Sequence, residues 1–306
     1  MLNRFILIGI SIILIGSCSK GQLQVEEGFF MSQGDSIYYT SVGEGEPLVV
    51  IHGGPVLDHV YMIDHFQNLA KDYQVIFYDQ RVCGKSQVDI PAERITFDAF
   101  VEDIERLREH FSLEKTSMLA HSWGGLIAMK YALAHDDRID KLILSNSMAP
   151  SANEWDKENV AVAERYTKED QDQLNKLASS GLLRSEKAGP YIEEMMLLSF
   201  KAQFYDKSQV EKLQLSIPND YALRSSIFMN LSKEMANYDL FDSLGQIESP
   251  TLIIYGESDP AVYLYLDVFR NSFPLASSKI IPKSGHFPFI EQPEVYSDMI
   301  SEFLNK

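Results

Sequence analysis

Met118-Leu119-Ala120-His121-Ser122-Trp123-Gly124-Gly125 is an apolar run that closes on a serine set among small residues. Residues 117–120 read as a buried strand, and the apolar spacing of 126–134 is that of a helix. Ala120 and Gly124 lie two positions to either side of Ser122, which is the pattern G-x-S-x-G with alanine in the first slot. At such a nucleophile elbow the chain turns so sharply that bulky flanking side chains would collide with the neighbouring strand or helix. The serine is thereby pushed out at the carboxyl edge of a sheet, and the next N–H points into the same space. An ordinary strand–turn–helix with a capping serine explains this stretch equally well on its own. The rest of the chain decides.

The 306 residues are 45% hydrophobic, enough for one large α/β domain with an insertion. A formal charge of −17 with no clustered basic stripe argues against a nucleic-acid partner. At the N-terminus, Arg4 precedes an apolar run, residues 5–15, broken only by Gly9 and Ser11. It is too short to span a membrane and suits a signal peptide. Ile15-Gly16-Ser17-Cys18 follows and resembles the lipobox of bacterial lipoproteins, which implies cleavage before Cys18 and acylation of that cysteine. Residues 1–17 are therefore expected to be a signal and 18–27 a polar tether. The protein is expected to be exported and held at a membrane by lipid, facing the periplasm. Cys83 would then be the one thiol left, with no partner for an intrachain disulfide.

Past the tether, strands and helices alternate. Residues 29–31 and 37–40, split by Gln33-Gly34-Asp35, suggest an opening hairpin. Residues 47–51 form an apolar strand that ends in His52-Gly53-Gly54-Pro55, and a helix is expected over 58–71. Further strands are expected at 74–78 and 141–145, with a helix at 97–111. Apolar strands separated by helices make a mostly parallel sheet covered on both faces. From 148 to 240 the strand signal disappears. Thr167 with Asp170 offers a capping box, Gly181 a helix stop and Pro190 a helix start. Met195, Met196, Phe200, Phe204 and Tyr205 have no sheet of their own to cover. The segment reads as a helical lid inserted between two core parts, 28–147 and 241–306. Sheet pattern resumes at 251–255, and the strand runs into Gly256-Glu257-Ser258-Asp259-Pro260. The strand at 279–281 is followed by Ser284-Gly285-His286-Phe287-Pro288.

A serine hydroxyl is a poor nucleophile until a base takes its proton, and the base needs a carboxylate to hold its tautomer. Ser122, Asp259 and His286 each follow a different apolar strand, in the order Ser…Asp…His of the α/β-hydrolase fold. A capping Asp259 or an incidental His286 is a fair reading of either residue alone; the ordered set is the catalytic triad. The oxyanion formed during acyl transfer needs two N–H donors. The residue after the nucleophile, Trp123, supplies one. The Gly-rich loop supplies the other, Gly54 first and Gly53 second. His52 precedes that loop and is expected to make a structural hydrogen bond.

His52-Gly53-Gly54-Pro55, Asp79-Gln80-Arg81-Val82-Cys83-Gly84-Lys85-Ser86, the Ser122-Trp123-Gly124 elbow and Gly285-His286-Phe287 together resemble the proline iminopeptidases, from about residue 28 to the C-terminus. The resemblance implies release of an N-terminal residue, often proline, from a small peptide or amide without metal or cofactor. Val56, Val82 and Ala120 stand where that family has glycine. In the family, lid carboxylates read the free amine. By position, Glu194, its neighbour Glu193 and Glu234 are the counterparts, although acids just after Pro190 also suit a helix N-terminus. An esterase of the same fold would lack such acids, and a non-catalytic binding lipoprotein would lack an acylable serine.

Overall fold

The computed structural model describes residues 23–306. The expected signal, Cys18 and the start of the tether lie outside the described residues. Eight strands form one sheet: β1 Val25–Ser32, β2 Asp35–Val42, β3 Glu46–Ile51, β4 Tyr73–Tyr78, β5 Thr116–His121, β6 Ile139–Ser145, β7 Thr251–Gly256 and β8 Ala276–Ile281. Their order across the sheet is β1-β2-β4-β3-β5-β6-β7-β8. The opening hairpin is antiparallel, β2 joins β4 antiparallel, and every pairing from β4 to β8 is parallel. β1 begins at Val25, so the last residues assigned to the tether belong to the sheet.

Successive residues of a strand point to opposite faces, and both faces of this sheet are buried. Val49, Ile51, Ile76, Tyr78, Met118 and Ala120 meet the helices Phe97–His110 and Trp123–His135 on one face. Leu48, Val50, Val75, Phe77, Leu119 and Ile143 meet Phe66, Phe289, Tyr296 and Ile300 on the other. Each such side chain contributes about 1.5–3 kcal/mol by leaving water, so the central strands are the least tolerant of polar substitution. The helix expected over 58–71 is instead three short turns, Val60–Ile63, Asp64–Phe66 and Leu69–Lys71.

The lid is mostly helical, with helices Ala152–Ala163, Lys168–Ser179, Gly189–Lys201 and Tyr221–Phe228 joined by loops. Thr167 and Asp170 close a capping box, Gly181 takes φ 76°, and Pro190 sits in the first turn of its helix. Its two ends are pinned together: Ser151 and Asp239 form an antiparallel bridge, flanked by Ala152 N–H to Tyr238 O at 2.9 Å and Leu240 N–H to Pro150 O at 2.9 Å. Phe204 stacks on Phe287 with ring centroids 4.8 Å apart, beside the catalytic-histidine loop.

Candidate active site

The elbow forms because β5 ends against its neighbours with no room for side chains. Ser122 takes φ 53°, ψ −123°, a conformation that non-glycine residues rarely adopt. Its N–H donates to Ser145 O at 3.2 Å, and its carbonyl accepts from Met148 and Gly125 N–H, each at 2.8 Å. A methyl group on Gly124 would press on the carbonyls of Ile51 and His52, and one on Gly53 would lie 2.7 Å from the Ser122 Cβ. Ala120 fits because its methyl points into the core under the turn.

Asp259 leaves β7 and is fully enclosed. Its Oδ2 accepts from His286 Nδ1 at 2.9 Å and from Asn146 Nδ2 at 2.7 Å, and its Oδ1 accepts from Ala261 N–H at 3.1 Å. Burial alone would raise this carboxyl; the bonds from His286, Asn146 and Ala261 outweigh it and hold the group below the usual aspartate range. With Nδ1–H committed to Asp259, the Nε2 face of His286 is left for the nucleophile. Ser122 and His286 line the same cavity of about 230 Å³.

That cavity is also lined by Gly54 and Trp123. The Trp123 N–H lies in the first turn of its helix, where no carbonyl of the same helix can reach it. The Gly54 N–H has no acceptor among the described residues. These two N–H groups are the candidate oxyanion donors. Gly53 is not: its N–H donates to Tyr61 OH at 2.6 Å. Its importance is close approach, since only a hydrogen fits between it and the elbow.

A buried relay behind the serine was not legible in the motif. Tyr61 OH, having accepted from Gly53, donates to His121 Nδ1 at 2.8 Å, and His121 Nε2–H donates to the His286 carbonyl at 2.9 Å. Burial, reinforced by the nearby His286, pushes His121 well below the ordinary histidine range, so it stays neutral and its tautomer is fixed. The relay joins the oxyanion loop, the elbow and the catalytic histidine. His52 is likewise buried and pushed down to about 4. Its Nε2 accepts from Gln80 N–H at 3.1 Å, which confirms a structural role. Gln80 then holds the Trp123 indole, Nε1 to Oε1 at 2.8 Å. Asn146, at the end of β6, braces both Asp259 and, at 3.1 Å, the Gly285 carbonyl. Its only sequence signal is its place after an apolar strand. Cys83 is buried, and burial pushes its thiol up, which disfavours the reactive thiolate.

The expected amine-reading acids are elsewhere. Glu194 is exposed and accepts from Gln173 Nε2 at 2.8 Å; Glu193 and Glu194 both line a separate groove with Pro190 and Lys201. Glu234 is exposed and caps Phe97 N–H at 3.4 Å. Their helices turn other faces to the cavity: Met196 and Phe200 of Gly189–Lys201, and Met235 beside Glu234. The acid that does line the cavity is Glu158. On Ala152–Ala163 it shares one face with Trp155, Asn159 and Val162, at spacings of three and four residues. It is buried, accepts from Tyr265 OH at 2.7 Å, and has an oxygen within 4.8 Å of polar atoms of Asp259 and His286. Burial, then the Asp259 charge, pushes its carboxyl well above the ordinary glutamate range and favours the neutral acid. Glu158, Asp259 and His286 are also the one cluster with metal-ligand spacing among the described residues, but His286 Nδ1 and Asp259 Oδ2 are already committed to each other.

Residues 46–293 match the family model described as the alpha/beta hydrolase fold. The chain belongs to that family. It is a serine-type hydrolase, and Ser122, His286 and Asp259 are its candidate triad. It is similar to a proline iminopeptidase of Heyndrickxia coagulans, 29% identical over 91% of this chain and 98% of the relative. Among solved structures, it resembles the proline iminopeptidase of Mycobacterium smegmatis, with TM-score 0.67 and 21% identity, covering 92% of this chain and 98% of that one. A thermophilic esterase from Thermogutta terrifontis is as near in shape, with TM-score 0.65 and 24% identity over 92% and 98%. Shape alone thus does not separate peptidase from esterase; the residues over the triad do.

Proposed function

We propose that the protein is a serine aminopeptidase that releases the N-terminal residue of short peptides. The observation that carries the reading is Glu158, the one acid among the residues lining the catalytic cavity. The relatives named proline iminopeptidase support it. A free amino terminus is a cation near neutral pH, and enclosing it under a lid is costly unless a carboxylate pairs with it. Glu158 is a buried carboxyl that makes no ion pair among the described residues; an ammonium group would pair with it and draw out the carboxyl proton.

Chemistry then follows the triad. The Ser122 hydroxyl attacks the first peptide carbonyl as its proton passes to His286, and Asp259 stabilises the imidazolium. The oxyanion takes the N–H groups of Gly54 and Trp123. His286 returns the proton to the departing amine. Water, activated by the same histidine, frees the aminoacyl group. A fluorophosphonate probe should label Ser122, and aminoacyl arylamides should be cleaved while their N-acetylated forms are not. Equal turnover of free and acetylated substrates would overturn the aminopeptidase reading and favour an esterase.

We also propose that the enzyme is held at a membrane through acylated Cys18, because the lipobox-like run ends a signal-like segment. Acyl chains contribute about 0.8 kcal/mol per buried CH₂. Among the described residues no helix is long and apolar enough to cross a membrane. Cys18→Ala should move the protein from the membrane to the soluble fraction.

A further inference from the structure

The catalytic cavity has a neighbour under the lid. Pro55, Trp155, Tyr221, Phe228 and Met235 line both it and a second cavity of about 410 Å³. The second cavity is bounded beyond that shared wall by Leu231 and Met229, with Met229 59% exposed at its rim. Neither Ser122 nor His286 reaches it. Small-molecule sites commonly measure about 300–1,000 Å³; the catalytic cavity, at about 230 Å³, is below that range alone and enters it only with its neighbour.

Acyl transfer assigns the two sides of the reacting carbon. The leaving nitrogen takes its proton from His286 and so departs on the histidine side. The oxyanion points to Gly54 and Trp123. The Cα that stays on the acyl carbon carries two groups: its free amine goes to Glu158, beside His286, which leaves its side chain the space that His286 does not line. The second cavity is lined by Pro55, which follows Gly54 in the chain, and is not lined by the histidine. We infer that this second cavity is the acyl-side subsite and that it takes a large apolar side chain, aromatic or long aliphatic, on the residue released. The inference rests on the aminopeptidase reading. Besides Asp156, Ser225 and Ser232, its walls include a tryptophan, a tyrosine, a phenylalanine and two methionines, surfaces that pack flat rings and adapt to branched chains. A proline ring would leave most of this space without contacts.

The test is a series of free-amine 4-nitroanilides of Pro, Ala, Leu and Phe, read as kcat/KM with the full-length protein. Phe and Leu should exceed Ala and Pro at least tenfold. Ser225→Trp and Ser232→Trp each fill the second cavity from positions that do not line the catalytic one. Each should lower the Phe-to-Ala ratio about tenfold, mainly through KM. Pro equal to or better than Phe in the unmodified enzyme overturns the inference without any variant. An unchanged Phe-to-Ala ratio in both folded variants overturns it too. Failure of the underlying reading looks different: N-acetyl-Phe anilide would then be turned over as well as Phe anilide.

Discussion

The floor and the roof of this active site are built by different means. The floor is backbone: a serine at φ 53°, glycines with no room for a methyl group, and the N–H groups of two residues that line one cavity. The roof is side chains on lid helices, held down at a few places. Arg224 donates to the carbonyls of Val82 and Gly84 at 3.1 and 3.0 Å and pairs with Asp220 at 2.8 Å. Glu291 accepts from Tyr205 and Asp206 N–H on the lid and from Gly285 N–H beside the catalytic histidine. Backbone geometry admits few substitutions, so the floor sets whether the reaction runs. Helix faces can change one side chain at a time, so the roof sets which substrate is taken.

The largest effects should therefore come from the floor. Ser122→Ala should cut kcat by several orders of magnitude with the melting temperature almost unchanged, because the serine packs little core. Asp259→Asn leaves His286 without the acceptor that fixes its tautomer, and a loss of about 10⁴ in kcat is expected. Turnover near that of the unmodified enzyme in either variant would break the division between floor and roof.

Glu158→Gln tests the roof. On free-amine substrates, kcat/KM should fall by about 2–5 kcal/mol, the usual cost of removing one partner of a desolvated charge pair. An uncharged ester of similar size should be hydrolysed as before. The stability consequence has the opposite sign. A carboxyl raised by folding is neutral in the native state below its folded pKa, and its ionisation opposes folding as pH rises through that value. Glutamine stays neutral, so the variant should gain melting temperature relative to the unmodified protein on the alkaline side and match it in acid. Equal losses on amine and ester substrates would make Glu158 part of the floor instead.

How much could be read from residue order follows the same line. The elbow, the glycine loop and the Ser…Asp…His order were legible because tight backbone turns restrict residue type, and that restriction is local in sequence. The lid was legible as helices, through Thr167, Asp170, Gly181 and Pro190, but not in how those helices are rotated. Glu193 and Glu194 lie past the first turn of the helix Gly189–Lys201, whose inward face is Met196 and Phe200. Nothing local distinguishes an acid on an outward face from one that reads a ligand. Glu158 was missed for the converse reason: it sits in a densely charged stretch, and its burial depends on Tyr265, which is distant in sequence. The Tyr61–His121 relay is non-local in the same way.

Arg224 is the seam between the two regions. Arg224→Ala leaves the Val82 and Gly84 carbonyls without this donor and frees Asp220. Hydrogen bonds from a charged donor contribute about 1.5–3 kcal/mol, and a stability loss of about 2 kcal/mol is expected by denaturant titration. KM should rise more than kcat falls, because the triad does not touch the latch. A loss confined to kcat would place Arg224 with the floor.

The smallest effect concerns Val82, on the floor side of that seam. Val56 and Val82 occupy positions where the proline iminopeptidases have glycine, and both adopt positive φ, 66° and 56°. A β-branched residue there is strained by about 1–2 kcal/mol, which suggests that glycine would relax the loop. Two terms oppose this. Val82 is fully buried in the core cluster, and deleting a buried valine side chain forfeits about 1.5–3 kcal/mol. Glycine also adds freedom to the unfolded chain, costing about 0.4–1 kcal/mol more. Val82→Gly should therefore destabilise the protein by about 1 kcal/mol while leaving kcat almost unchanged, since the Val82 carbonyl still meets Arg224. A gain in stability would show that backbone strain outweighs packing at this position, and that the floor is held under tension by its side chains rather than relaxed around them.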